Sequence, residues 1–189
     1  MSTDTAADRA WIQTYTNKRF HILDPRPEEI CIEDIAHALS LQCRFTGHVK
    51  WHYSVAQHCV YASRIVGTDF AFEALMHDSS EAYICDMTRP VKHYTPAGAA
   101  YLVLEAKIEA AVAEKFNLPA IMSPQVKDAD NQMLYAEKAQ LMPPMDWSTR
   151  WSADQKAANL QIMQWTNEYA EGCFLRRFSE LTTLRAGSR

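Results

Sequence analysis

The chain has 189 residues, of which 48% are hydrophobic and 22% are charged, a size typical of one domain. A chain of this length buries enough surface on folding to need no disulfide or structural metal. There are 19 basic and 23 acidic residues, so the net charge is −4. This balance predicts no nucleic acid polymer and no acidic membrane surface as a partner. The balance does not exclude a small anionic ligand, because a few local cations suffice to bind it.

The N-terminal sequence MSTDTAADRAW is polar and lacks the apolar run of a signal peptide. The longest stretch of small and apolar residues, 97–104, is shorter than the roughly 20 residues that cross a bilayer. The 5 cysteines are widely spaced and form no C-x-x-C motif, which is typical of reduced thiols. These features together predict a cytoplasmic protein without a membrane partner.

The first third of the chain changes from an irregular to a helical pattern. Residues 11–20 are predicted to form a short extended pair. After them, apolar residues recur at steps of three and four over 33–41, 53–66, 72–77 and 101–116. This periodicity predicts four helices.

The second half of the chain carries explicit helix boundary signals. Ser123 and Pro124 suit the N-cap and first residue of a fifth helix, which the prolines at 143–144 end. Ser152 begins a capping-box pattern for a sixth helix, and Gly172 is predicted as a break before the last one. We therefore predict an all-α domain over 1–189, with an irregular N-terminal segment and C-terminal helices at about 152–185.

Several histidines and acidic residues lie where a helix would turn them inward or together. Glu81 follows His77 by four residues and Asp78 by three, so one helix would carry all three on one side. His58 lies on an apolar stripe of its helix, and so does Asp130. One divalent cation would satisfy four of these side chains, two imidazoles and two carboxylates: His58, His77, Asp78 and Asp130.

The alternative interpretation is that these residues are core polar groups satisfied by hydrogen bonds within the protein. A lone carboxylate is costly to bury, by several kcal/mol, which favours the metal hypothesis for the set as a whole. Asp128, two positions before Asp130, has polar helical neighbours and is expected to face solvent.

Several motifs resemble the HD-domain phosphohydrolase superfamily. The single residue His58, the pattern H-D-x-x-E at 77–81 and the pair A-D at 129–130 carry the resemblance. DIAHALS at 34–40, CRFTGH at 43–48, YSVAQH at 53–58 and HDSSEAYICDMTRPVK at 77–92 are similar to the branch that hydrolyses nucleotides. That branch includes bacterial 5′-deoxynucleotidases and phage dATP triphosphohydrolases. The resemblance covers roughly residues 30–142 and implies an HD-domain helical bundle.

The resemblance also implies roles for individual residues. It implies the same four metal ligands, Glu81 as the acid/base, and phosphate contacts by Arg44 and Lys92. For Arg44 the alternative is a surface residue in a connecting turn. For Asp86 two interpretations stay open, binding of a sugar hydroxyl or holding of Lys92. The gap between His58 and the H-D pair is shorter than in the bacterial 5′-deoxynucleotidases, so their substrate-pocket residues are not carried over. Assembly as a homo-oligomer, a dimer or a ring, is implied as well.

Some residues near these motifs have two interpretations. Phe45, Trp51 and Tyr53 either stack on a base or belong to the core. His48 and His52 are spaced i, i+4, which suits a second metal if the segment is helical. The alternatives are that they contact phosphate or lie at the mouth of a substrate pocket.

The functional hypothesis is a metal-dependent deoxynucleotide phosphohydrolase. Hydroxide generated at the metal attacks the α-phosphorus, and a deoxynucleoside and triphosphate are released, with dATP as the first choice of substrate. One alternative is a 5′-deoxynucleotidase, and another is a nucleotide sensor without turnover. The metal is Mn, Co, Zn, Fe or Mg, because this ligand set accepts all five. A zinc deaminase is excluded, since the chain lacks H-x-E with P-C-x-x-C.

Overall fold

The computed structural model describes residues 5–145 and 156–187, and this part of the chain is predominantly α-helical, which confirms the predicted fold class. A two-stranded sheet precedes most of the helices, with β1 (Trp11–Gln13) antiparallel to β2 (Arg19–His21). It confirms the extended pair predicted at 11–20. The helices are α1 (Ala6–Arg9), α2 (Ile32–Leu41), α3 (Val55–Ile65), α4 (Ala71–Met76), α5 (Glu81–Ile84), α6 (Arg89–Tyr94), α7 (Pro96–Phe116), α8 (Pro124–Leu141) and α9 (Asn167–Gly187).

The chain divides into two compact units, each made of two segments. The first unit combines Met1–Leu39 with Asp78–Ile121, and the second combines Ser40–His77 with Met122–Arg189. The prediction of one HD-type domain over 1–189 stays a prediction.

In the first unit, the sheet contacts α5, and α6 contacts α7. The ring of Phe20 stacks on that of Tyr83 with centroids 3.9 Å apart. α6 and α7 approach each other very closely at Gly98, where an added Cβ would collide with the backbone carbonyl groups of Val91 and Lys92. Glycine is required here because the space is already filled by main chain.

In the second unit, α3 is the central helix. Residues 55–63 of α3 are all buried, which is typical of a helix covered on every side. Ser54 caps its N-terminus by accepting a hydrogen bond from the Gln57 backbone N–H. Near the other end of α3, Arg177 from α9 donates to the Ser63 carbonyl at 2.9 Å. α3 is thus fixed at both ends, and it carries His58.

A cluster of apolar residues from several elements forms a core in the second unit, and α8 lies along it. α8 begins where the sequence predicts, after Ser123. The Ser123 hydroxyl does not cap the helix, however, but donates to Glu73 Oε2 at 2.7 Å. The buried members of this cluster are Tyr53, Tyr61, Ala62, Met133, Ala136, Leu141, Ala158 and Ile162.

Two local predictions are wrong. α4 ends at Met76 and residues 77–80 form turns, so His77, Asp78 and Glu81 do not lie on one helix. Two successive serines at 79–80 favour a turn over a continued helix. α9 runs through Gly172 without a break, because burial of its neighbours Cys173 and Phe174 outweighs the cost of about 1 kcal/mol for a helical glycine. Residues 48–53 are not helical, so the condition for a second metal at His48 and His52 is not met, and contact with phosphate or a position at the pocket mouth stays a prediction.

The helix predicted from Ser152 lies partly outside the described residues. Residues 152–155 are not described, and 156–166 form no helix. Among the helices of 5–145 and 156–187, none is long and apolar enough to cross a membrane.

Candidate metal centre

Three of the four predicted metal ligands meet in the second unit. His58 comes from the first half of α3, His77 directly follows α4, and Asp130 lies on α8. His58 Nε2 is 3.3 Å from His77 Nε2 and 3.4 Å from Asp130 Oδ1, and His77 Nε2 is 3.9 Å from Asp130 Oδ1. The centre of the circle through these three atoms lies about 2.1 Å from each of them, the usual length of a bond from a divalent metal to nitrogen or oxygen.

Hydrogen bonds at the far side of each ring fix which nitrogen faces this centre. His58 Nδ1 lies 2.6 Å from Glu137 Oε1, and His77 Nδ1 lies 2.9 Å from the Ala74 carbonyl oxygen. A carboxylate and a carbonyl only accept hydrogen bonds, so each Nδ1 carries the proton. The Nε2 lone pairs then face each other at 3.3 Å and repel, unless a cation or a proton lies between them. This arrangement is typical of metal-binding histidines.

The electrostatics of the site favour positive charge at the centre. Burial and the Arg44 charge lower the pKa of His58, but the carboxylates of Glu137 and Asp130 outweigh them and raise the pKa to about 9. Burial raises the pKa of Asp130, but hydrogen bonding to His58 and the His77 charge lower it overall. The site therefore attracts a cation, whether a proton or a metal ion.

Glu137 is a site residue that the sequence reasoning missed. Its side chain is fully buried, and besides His58 it accepts a hydrogen bond from the Tyr53 hydroxyl at 2.9 Å. Burial raises its pKa, but the Arg44 and His58 charges lower it to about 2. A signal was present in the sequence, since Glu137 follows Asp130 by seven residues, two helical turns, and so lies on the same face of α8.

Arg44, a predicted phosphate ligand, also contacts Glu137. Its Nε and Nη2 atoms each lie 3.1 Å from Glu137 Oε2. The turn that follows is held in the left-handed region, with φ of 55° at Phe45 and 54° at Thr46, which is uncommon for residues other than glycine. The guanidinium carbon lies 5.5 Å from the centre of the Phe45 ring. The phosphate role of Arg44 and the base contact of Phe45 stay predictions.

Two further predicted substrate residues of the second unit have different surroundings. Trp51 is partly buried and packs against the apolar cluster around Met133. Its indole Nε1 is buried and has no hydrogen-bond partner among the residues that the structure describes. Its packing agrees with the core interpretation. His48 is exposed to solvent. Base stacking by Trp51 and substrate contact by His48 stay predictions.

Four predicted site residues belong to the first unit. Asp78 is the first residue of the second segment of this unit. Glu81 is the first residue of α5, and only 8% of its surface is exposed. Lys92 Nζ lies 2.8 Å from Glu105 Oε1 and 3.5 Å from Asp86 Oδ1. Of the two interpretations of Asp86, contact with Lys92 is thus present, while sugar binding stays a prediction, as do the roles of the other three residues.

Comparison with known proteins shows where the chain belongs. The uncharacterized protein YfdR of Escherichia coli (strain K12) is 39% identical over 179 residues, which are 93% of this chain and 98% of YfdR. The chain belongs to the YfdR family. A second relative of this YfdR-family chain, the uncharacterized protein RCAP_rcc00048 of Rhodobacter capsulatus, is 35% identical over 130 residues, 64% of this chain and 65% of that protein. No family model matches the chain.

Proposed function

We propose that this protein is a metal-dependent phosphohydrolase of the HD type that acts on deoxynucleotides. The observation that carries the proposal is the triangle of His58 Nε2, His77 Nε2 and Asp130 Oδ1, whose sides measure 3.3, 3.4 and 3.9 Å. The resemblance of the sequence motifs to nucleotide-hydrolysing HD proteins adds the choice of substrate class.

The residues present suit a divalent cation. His58, His77 and Asp130 would hold it, and we propose Asp78, which adjoins His77 in the chain, as the fourth ligand. Two neutral imidazoles and two carboxylates balance two positive charges and suit Mn, Fe, Co, Zn or Mg. When bound, such a cation polarises phosphate oxygens and lowers the pKa of coordinated water.

We propose that water adds to the α-phosphorus of a deoxynucleoside triphosphate while the bond from that phosphorus to the 5′-oxygen breaks. The proton lost by the water is returned to the 5′-oxygen, and Glu81 is the residue proposed to hold and transfer it. The products are a deoxynucleoside and triphosphate, and dATP is the favoured substrate.

The remaining charged residues serve to bind and orient the phosphates. Arg44 offers a planar fork of donors that matches two phosphate oxygens, and Lys92 offers a point charge. Both cations already contact a carboxylate, Glu137 and Glu105 respectively. In this proposal an incoming phosphate exchanges with those carboxylates or shares the cations with them.

A panel of nucleotides incubated with the full chain and Mn²⁺ or Co²⁺ tests the proposal. We expect tripolyphosphate and deoxyadenosine from dATP, detected by chromatography. His58→Ala and Glu81→Ala variants are expected to lose at least about 100-fold in rate, and Asp128→Asn serves as a control on the same helix as Asp130. Orthophosphate from dAMP, with no product from dATP, would instead support a 5′-deoxynucleotidase.

Nucleotide binding without turnover, under every metal tested, would contradict hydrolysis and support the sensor. Equal turnover by the Glu81→Ala variant and the unmodified chain would remove Glu81 from the mechanism while leaving hydrolysis in place. Product identity distinguishes the 5′-deoxynucleotidase from the triphosphohydrolase, and the measured rates distinguish the sensor and the role of Glu81.

A further inference from the structure

Glu137 joins two side chains to which the proposed mechanism gives different tasks. Its Oε1 atom lies 2.6 Å from Nδ1 of the candidate metal ligand His58, and its Oε2 atom lies 3.1 Å from both Nε and Nη2 of Arg44. The Tyr53 hydroxyl is a third donor, 2.9 Å from Oε1. All four residues belong to the second unit, and the carboxylate has no exposure to solvent.

We propose that Glu137 is a positioning residue that couples the metal site to Arg44, so that a change at Arg44 alters metal binding at His58. The inference rests on the proposed function only in giving Arg44 a phosphate to bind. The coupling itself follows from the hydrogen bonds of one buried carboxylate.

The direction of the coupling follows from the charges. Arg44 draws negative charge of Glu137 towards Oε2, which weakens the hydrogen bond that Oε1 accepts from His58. A carboxylate bound to the far nitrogen of a histidine makes that histidine a stronger metal ligand. When Arg44 is removed, or when a phosphate engages it, more of the Glu137 charge acts on His58, and the metal is held more tightly. Substrate arrival would thus strengthen the metal site.

The added negative charge at His58 strengthens the binding of a metal ion more than the binding of a competing proton. The ion carries two positive charges and the proton carries one, so a gain in negative potential at His58 Nε2 favours the ion. The change in metal affinity is therefore measurable at neutral pH, where protons compete for His58 Nε2.

The test is a titration of the metal-free full chain with Mn²⁺, with free Mn²⁺ measured by electron paramagnetic resonance. Four proteins form a double-mutant cycle: the unmodified chain, Arg44→Gln, Glu137→Gln and the double variant. In Glu137→Gln, the amide oxygen can still accept from His58, whereas its NH₂ group cannot accept from Arg44. Asp128→Asn, an exposed carboxylate on the same helix, is the matched control and is expected to leave Mn²⁺ affinity unchanged.

We expect Arg44→Gln to tighten Mn²⁺ binding about threefold or more although Arg44 is not a proposed metal ligand, and Glu137→Gln to weaken it about tenfold. In the Glu137→Gln background, the Arg44 substitution is expected to change the affinity less than about twofold. An equal effect of Arg44→Gln in both backgrounds, or no effect in either, would overturn the coupling.

If Glu137→Gln fails to fold, Tyr53→Phe keeps the inference testable. It removes the second donor at Oε1 without removing the ring, so Glu137 is expected to bind His58 more strongly and Mn²⁺ affinity is expected to rise. Unchanged or weakened Mn²⁺ binding in Tyr53→Phe would contradict the inference. No turnover enters these measurements, so absence of hydrolysis counts against the proposed function alone, and absence of coupling counts against this inference alone.

Discussion

Asp130 Oδ1 lies 3.4 Å from His58 Nε2, and the other oxygen of the same carboxylate, Oδ2, lies 2.7 Å from Lys127 Nζ. The two oxygens of Asp130 thus contact different groups, one at the candidate metal centre and one on a lysine side chain that is 58% exposed. Asp128 on the same helix is exposed and bonds to Gln132, as the sequence predicts. Two aspartates that are close in sequence therefore differ in surroundings.

We predict that Asp130→Asn strongly weakens metal binding and that Asp128→Asn does not. The amide removes the negative charge that faces both imidazoles, so the Mn²⁺ dissociation constant is expected to rise about 100-fold. Elemental analysis after gel filtration, together with the titration described above, measures both variants. Metal loss from Asp128→Asn with retention in Asp130→Asn would mean that the ligand is misassigned.

The stability of the metal-free protein is predicted to fall as pH rises. The pKa of His58 is raised from 6.5 to about 9 in the folded state, so its protonated form stabilises the fold fully below pH 6.5. This contribution, about 3 kcal/mol, is lost as pH rises through 9. Urea unfolding in the presence of a chelator, from pH 6 to pH 9.5, measures it.

The stabilisation that Mn²⁺ adds to the fold is predicted to grow as pH rises. Metal binding requires neutral His58 and displaces its proton, so the increase in Tm on adding Mn²⁺ is expected to grow between pH 6.5 and pH 9. Thermal unfolding at matched pH with and without Mn²⁺ gives this difference. A Tm increase that is constant over this pH range would show that no proton is released on metal binding.

Two glycines are predicted to respond to alanine in opposite directions. In Gly98→Ala, the new Cβ collides with the backbone carbonyls of Val91 and Lys92, so we expect a loss of about 2–4 kcal/mol in unfolding free energy. In Gly172→Ala, the Cβ meets the flexible tip of the Arg176 side chain at 3.3 Å, so better helix propensity is expected to add about 0.5–1 kcal/mol. Chemical denaturation compares the two, and a gain in Gly98→Ala would contradict the close contact of α6 and α7.

Cys85 is predicted to be a position of backbone strain. It has φ of 57° and ψ of 166° at the end of α5, a conformation that is essentially confined to glycine. The Tyr101 hydroxyl donates to its carbonyl oxygen and so helps to hold this backbone. We expect Cys85→Gly to raise the unfolding free energy by about 1 kcal/mol.

Cys85→Ser is the matched control for this prediction, because it replaces the thiol but keeps the Cβ atom and therefore the backbone strain. It is expected to change the unfolding free energy by less than about 0.5 kcal/mol. If both variants gained equally, the effect would come from loss of the thiol and not from relief of strain.

The helices were predictable where their signals are local. Hydrophobic spacing predicted α2, α3 and α4 to within two residues and α7 over most of its length. The Ser-Pro pair at 123–124 marked the start of α8 because proline suits a first helical turn. Local signals failed at Gly172, since the break that glycine favours is outweighed by burial of the residues around it. They failed again at 77–80, where the chain turns within a segment whose spacing suggested one helix.

For the metal centre, the sequence determined which residues were candidates. His58 and Asp130 each lie on an apolar helix face, which is a property of periodicity alone. That their atoms lie within 3.4 Å of one another is a property of how α3 and α8 pack, because the two residues are far apart in the chain and no local rule fixes their separation. Glu137 shows the same division. The sequence determines its position two helical turns after Asp130. Its bonds to His58, Tyr53 and Arg44 form only because tertiary packing buries this carboxylate where three donors from different segments meet.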